Sequence, residues 1–94
     1  MVISFTTSRP DPEQRRQVDA FLEDFLPRLD RHPGVLAVYH YGDPESGEST
    51  TVVVWRDEAA RLAYRDSELI GEAVALETRL GLKGSRKAFP LTYP

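Results

Sequence analysis

The spacing of apolar residues changes along this chain in an order that leaves few possible folds. Strand-like, helix-like, strand-like, strand-like, helix-like and strand-like segments follow one another at residues 2–7, 11–29, 35–41, 49–55, 58–80 and 86–93. Two β-α-β units joined by a hairpin form a split β-α-β, or ferredoxin-like, arrangement. The sequence therefore predicts an α+β fold with the order β-α-β-β-α-β, in which a four-stranded antiparallel sheet carries its helices on one face.

Helix-capping and turn residues support these boundaries. Asp11 before Pro12 is typical of a helix start, as is Asp57 before the second helical region. Ser67 is also a good cap, so the second helical region is expected to pause there and begin again. Pro90 cannot donate a backbone hydrogen bond, which predicts an edge, a bulge or a subunit crossing for the last strand.

The two hairpin strands lack a polar face. Residues 35–38 and 52–55 form nearly continuous apolar runs, which are typical of strands covered on both sides of a sheet. The helices can cover one side only. With 94 residues, the chain fits a single domain, 1–94, with a modest core. We therefore expect a homodimer that packs through the free face of the sheet.

Composition excludes several classes of protein. The sequence has no cysteine, so neither a disulfide framework nor a thiol nucleophile is available, and we find no spacing typical of metal ligands. The net charge is −3 without a basic stripe, which argues against nucleic acid as a partner. We see no leader-like start and no apolar run long enough for a membrane span, and we expect a cytoplasmic protein without membrane contact.

A likeness to known proteins lies in residues 2–6, 25–29, 33–35 and 53–60 and in the helix that contains Ser67. In these segments the chain resembles the antibiotic biosynthesis monooxygenase-like family of the dimeric α/β barrel superfamily. It implies a homodimer whose two sheets form a barrel, with a small-molecule pocket between each sheet and its own helices. Some proteins of this kind oxidise polyketide-derived aromatic compounds with molecular oxygen and no cofactor, whereas others degrade haem.

The resemblance points first to Trp55, at the end of the third strand, as a residue of the pocket. In catalytic relatives a tryptophan there lines the pocket, although a single tryptophan can equally be the largest residue of the core. The sequence has no asparagine, which relatives generally place on the first strand; Ser4 or Thr6 occupies that region. The expected pocket residues are Ser4, Thr6, Val38, Val53 and Tyr64.

Haem degradation is disfavoured, because haem-degrading relatives use an axial histidine on the second helix and residues 58–80 contain none. We therefore expect no cofactor. Arg61 and Arg65 on that helix could bind an anionic group of a ligand, but charged residues of an amphipathic helix usually face solvent.

His40 is the candidate general base. If Leu36 lies opposite Trp55 in the hairpin, His40 shares a face with Trp55 at about 13 Å along the strand. A near-neutral imidazole could deprotonate a phenol before oxygen attacks it. The alternative is a structural histidine that is hydrogen-bonded to Thr51 across the strands. His32, in the loop before Pro33, is expected to be structural.

Two functions follow from these patterns. The first is a homodimeric protein that binds a small apolar or aromatic molecule and resembles cofactor-independent monooxygenases, with His40 and Trp55 as the catalytic candidates. The alternative is a noncatalytic dimeric binding or stress-responsive protein. A cavity of a few hundred Å³ between sheet and helices would favour the first.

Overall fold

A computed structural model describes residues 1–93 of the chain. The elements in chain order are β1 (Val2–Ser8), α1 (Pro12–Asp30), β2 (Val35–Gly42), β3 (Ser49–Trp55), α2 (Glu58–Arg65), α3 (Glu68–Leu80) and β4 (Ser85–Pro90). The strands form one antiparallel sheet in the order β2-β3-β1-β4. This confirms the predicted ferredoxin-like α+β fold, with the second helical region divided into two helices.

Each helix starts at a side chain that caps it. The Asp11 side chain accepts a hydrogen bond from the backbone of Gln14, and the Gln14 side chain accepts one from the backbone of Asp11. The Asp57 side chain accepts a hydrogen bond from the backbone of Ala60 at the start of α2, and the Ser67 side chain accepts one from the backbone of Ile70 at the start of α3. Ala60 of α2 belongs to the core cluster and Ala73 of α3 packs against it, so both helices contribute to the core.

The hairpin of β2 and β3 has the expected register over most of its length, with a bulge at one end. His40 lies opposite Thr51, and Ala37 opposite Val54, as predicted. Val35, however, lies opposite Trp55, where Leu36 was expected. The bulge turns Val35 toward the core of the domain and leaves Leu36 exposed. Strict alternation along the strand would place Val35 on the same face as Ala37, and the bulge breaks that alternation at this end.

The hydrophobic core lies between the sheet and the helices. Trp55, only 1% exposed, is at its centre. Its fully buried members come from the strands, from α1 and from α2: Val2, Phe25, Leu29, Val53, Trp55 and Ala60. Gly34, just before β2, packs so closely on Ala60 that a side chain at this position would overlap the Ala60 methyl group. The start of β2 is thereby held against the start of α2.

The opposite face of the sheet carries exposed aromatic side chains. Tyr39 and Tyr41 of β2 are 62% and 53% exposed, and Phe89 of β4 is 50% exposed. Phe89 makes an edge-on contact with Phe5 of β1, with ring centroids 6.4 Å apart. No element of the described chain covers this surface, which we call the open face. Within residues 1–93, no helix combines the length and the hydrophobicity needed to cross a membrane.

Pro90 ends β4, which is an edge strand of the sheet, as its sequence predicted. The strand is shorter than expected and stops before Tyr93. A backbone hydrogen bond from Leu91 to the carbonyl of Met1 continues the contact with the start of β1 for one residue more.

Candidate functional site

A cavity of about 240 Å³ lies between the sheet and the helices. It is just below the roughly 300 Å³ at which typical small-molecule sites begin, so a compact ligand would fit it. Its apolar wall is formed largely by α1, whose Val18, Phe21, Leu22 and Phe25 face the sheet. The rings of Phe21 and Phe25 stack with centroids 4.8 Å apart. A flat apolar molecule could lie against this wall.

Trp55 lines the cavity from β3 and is fixed by Ser4 of β1. The indole Nε1–H donates a hydrogen bond of 2.9 Å to the Ser4 hydroxyl. Because Trp55 is almost fully buried, this bond satisfies the only polar group of the side chain. Ser4 therefore orients the indole, and the Ser4 hydroxyl hydrogen remains available to the cavity.

Tyr64 of α2 packs on Trp55 and carries a polar group into the same region. The two ring centroids are 5.2 Å apart, and His32 makes an edge-on contact with the other side of Tyr64 at 5.5 Å. Burial is the main reason that the pKa of Tyr64 is raised to about 12. Tyr64 is therefore a neutral hydrogen-bond donor at physiological pH rather than a base.

His40 lies at the other end of the cavity, where two hydroxyl groups hold its ring. Nδ1 is 3.0 Å from the Thr51 hydroxyl, and Nε2 is 3.2 Å from the Ser49 hydroxyl. Burial lowers the pKa of His40 below its ordinary value, so the imidazole is neutral at pH 7. A neutral ring has one donor and one acceptor nitrogen, and each can be satisfied by one of these hydroxyls.

The structure brings most of the residues named from the sequence into one cavity. Its lining includes His40 and Trp55, together with Ser4, Thr6, Val53 and Tyr64. Val38 instead packs against the core cluster and is not part of the lining. His40 and Trp55 are four register positions apart, because His40 pairs with Thr51, and so lie toward opposite ends of the site.

Charged residues also line the cavity, and sequence reasoning missed three of them, Glu77, Arg86 and Lys87. Arg61 and Arg65 of α2 belong to the lining, as do Glu77 of α3 and Arg86 of β4. Arg86 binds the Glu77 carboxylate through both terminal nitrogens, at 2.5 and 3.1 Å. Only the tertiary fold brings these two elements together, so no local pattern could have revealed this pair.

No group of three or more His, Asp or Glu side chains in residues 1–93 is arranged to hold a metal ion. The polar side chains of the lining carry hydroxyls, one imidazole, guanidinium groups, an ammonium group and the Glu77 carboxylate, which suit hydrogen bonding to a small organic molecule.

Comparison with known proteins agrees with this architecture. A candidate antibiotic biosynthesis monooxygenase from Deinococcus radiodurans superimposes with a TM-score of 0.92 at 17% identity, over 100% of this chain and 95% of the other. A candidate antibiotic biosynthesis monooxygenase from Nitrosomonas europaea superimposes with a TM-score of 0.85 at 6% identity, over 99% of this chain and 100% of the other. A conserved protein from Methanosarcina mazei superimposes with a TM-score of 0.82 at 14% identity, over 94% of this chain and 89% of the other.

These identities are low, so the structural matches show the fold alone. No functionally curated protein is significantly similar in sequence. The family model for antibiotic biosynthesis monooxygenases, in contrast, matches residues 1–76, which include β1, β3, α2 and therefore Ser4, Trp55 and Tyr64. The chain belongs to the antibiotic biosynthesis monooxygenase family.

Proposed function

We propose that this protein is a homodimer that binds a compact aromatic molecule in the cavity between sheet and helices and oxidises it with molecular oxygen. The observation that carries the proposal is the composition of the cavity. An indole fixed by Ser4 and a stacked pair of phenylalanines supply flat apolar surfaces, while Tyr64 and His40 supply polar groups at its edges. Family membership supports the same class of reaction.

A phenolic substrate can supply all the electrons that such a reaction needs. Loss of the phenol proton gives a phenolate, which is rich enough in electrons for oxygen to attack the ring carbon opposite the hydroxyl. Cleavage of the O–O bond then leaves a quinone and one water. In the overall reaction, 1-naphthol and O₂ give 1,4-naphthoquinone and water. The reaction therefore needs no external reductant.

His40 is the base in this proposal. Its lowered pKa leaves it neutral and able to accept a proton near pH 7. Because both ring nitrogens contact hydroxyls, the proton of the phenol would pass through Thr51 or Ser49, which also line the cavity. Trp55 positions the ring of the substrate by stacking.

The open face supports the dimer. Three exposed aromatic residues, Tyr39, Tyr41 and Phe89, lie there on two different strands, and a second copy packed sheet to sheet would remove them from water. A stable interface of this kind should bury more than roughly 1,200 Å² in total. Association would also compensate for the small core of a 94-residue domain.

Oxygen consumption tests the proposed activity. The protein is incubated with 1-naphthol in an oxygen-electrode chamber, and one O₂ should disappear for each naphthoquinone formed. Trp55→Phe, which removes the hydrogen bond to Ser4, should reduce the rate, whereas Tyr93→Phe, at an exposed position outside the cavity, should not. The proposal would be contradicted if no member of a set of phenols caused either oxygen uptake or a shift in the melting temperature of the protein.

The second candidate function is noncatalytic binding by the same dimer. The observation that favours it is the hydrogen bonding of His40, both of whose nitrogens are engaged by hydroxyls as in a structural histidine. Binding of 1-naphthol without oxygen uptake, together with an unchanged affinity in His40→Gln, would support this alternative.

A further inference from the structure

The charges that line the cavity differ from those of the whole chain. The chain contains 12 basic and 15 acidic residues. The lining, in contrast, includes four basic residues and one acidic residue, Arg61, Arg65, Arg86, Lys87 and Glu77. Glu77 is already neutralised by its two-point contact with Arg86. Arg61 and Arg65 are paired with Glu58 and Asp66, which lie outside the lining, so the excess of basic over acidic groups is confined to the lining itself.

Arg61 and Arg65 of α2 each keep guanidinium N–H groups that no side chain of the described residues engages. They are four residues apart and lie on the same side of α2. Arg61 binds Glu58 through Nε and one terminal nitrogen, which leaves its other terminal nitrogen unused within the described residues. Arg65 contacts Asp66 only through Nε, at 3.4 Å, which leaves both of its terminal nitrogens unused there. Two terminal nitrogens of one guanidinium match the two oxygens of a carboxylate.

Tyr64 adds a donor beside them. It lies three residues after Arg61 and therefore on the same side of the helix. Its high pKa keeps the hydroxyl protonated. The aromatic surface of the cavity begins at this residue, because its ring packs on Trp55. The cationic and aromatic parts of the lining are thus adjacent.

We propose that the ligand of this cavity is an aromatic acid, whose ring lies beside Trp55 and whose carboxylate is bound by Arg61 and Arg65. This inference rests on the proposed function, since it names the chemical class of the molecule that the cavity binds. In this proposal the two arginines of α2 determine specificity, because they favour an anionic ligand over a neutral ligand of the same shape.

Calorimetric titration with 2-naphthoate and 2-naphthamide tests the inference. The two compounds share the ring system and nearly the same size, and they differ in charge. At low ionic strength the carboxylate should bind about tenfold more tightly, which corresponds to one charge-assisted contact at a partly exposed site. The ratio of the two affinities should fall toward one in about 1 M NaCl, where the Debye length is only ~3 Å and the charges are screened.

Variants locate the charge that selects the ligand. In the double variant Arg61→Gln/Arg65→Gln, the preference for 2-naphthoate should disappear while the affinity for 2-naphthamide changes less than about twofold. Arg79→Gln is the control: it removes one positive charge from an exposed position on α3 outside the lining, and the preference should persist. Thermal unfolding of each variant verifies that it is folded.

The possible results separate this inference from the proposed function. Equal binding of the two compounds, or a preference that survives in the double variant, overturns the role of Arg61 and Arg65 and leaves the aromatic site intact. Binding of neither compound contradicts both proposals. Tighter binding of the amide overturns the inference, because a cationic site cannot favour the neutral compound.

Discussion

The hydrogen bond between Trp55 and Ser4 is expected to contribute measurably to stability. Ser4→Ala leaves the indole N–H of a residue that is 1% exposed without its partner at 2.9 Å. An unsatisfied buried donor costs about 1–3 kcal/mol. Since a water molecule in the adjacent cavity can restore part of the bond, we expect about 1–2 kcal/mol. For a domain of this size, each kcal/mol lowers the melting temperature by roughly 4–8 °C.

The assay is guanidinium denaturation of each variant at a single protomer concentration, because the stability of the proposed dimer would depend on concentration. Thr6→Val is the matched control: Thr6 lies two residues along β1, also lines the cavity, and should change stability by less than about 0.5 kcal/mol. A double-mutant cycle of Ser4→Ala with Trp55→Phe should give a coupling energy near 1 kcal/mol. Coupling below about 0.3 kcal/mol, or equal effects of Ser4→Ala and Thr6→Val, would refute the reasoning.

Three further predictions concern the fold, the pH dependence and the assembly. Gly34→Ala should lower the free energy of unfolding by about 2 kcal/mol or more in thermal unfolding, because Gly34 has a φ of 84° and the new methyl group would overlap Ala60. Gly71→Ala is the control: Gly71 lies within α3 with open space around it, so this change should raise the free energy of unfolding by about 0.5–1 kcal/mol. Burial lowers the pKa of His40 in the folded protein, so as pH falls His40 is protonated first in the unfolded chain. Denaturation curves should therefore show stability decreasing below about pH 6.5, and His40→Gln should flatten this pH dependence. Tyr39→Lys should shift the protein toward monomer in sedimentation velocity, because it places like charges across the open face; an unchanged sedimentation coefficient would argue for another interface.

The sequence was sufficient to predict the fold because its local signals agree with one another. Asp11, Asp57 and Ser67 mark the three helix starts, and Pro90 marks an edge strand. Each of these signals acts within a few residues, so it can be recognised without knowing the rest of the structure. The bulge near Val35 was not predicted, because the pairing of β2 with β3 shifts by one residue there and no turn or capping residue marks that shift in the sequence.

The candidate site was only partly predictable. The family resemblance indicated a pocket that includes Ser4, Val53 and Trp55, and all three line the cavity. The contact of Ser4 with the indole and the pairing of Glu77 with Arg86 involve residues distant in sequence. Such contacts depend on the angles at which helices pack on the sheet, and hydrophobic periodicity carries no information about those angles.

A crystal structure of the protein grown with 1-naphthol is the most direct test that the space between sheet and helices is the ligand site. We expect the naphthol ring beside Trp55 and its hydroxyl within hydrogen-bonding distance of a polar group of the cavity, in both subunits of a dimer joined through the open face. A cavity closed by its own side chains, or naphthol bound only on the open face, would contradict the proposed site.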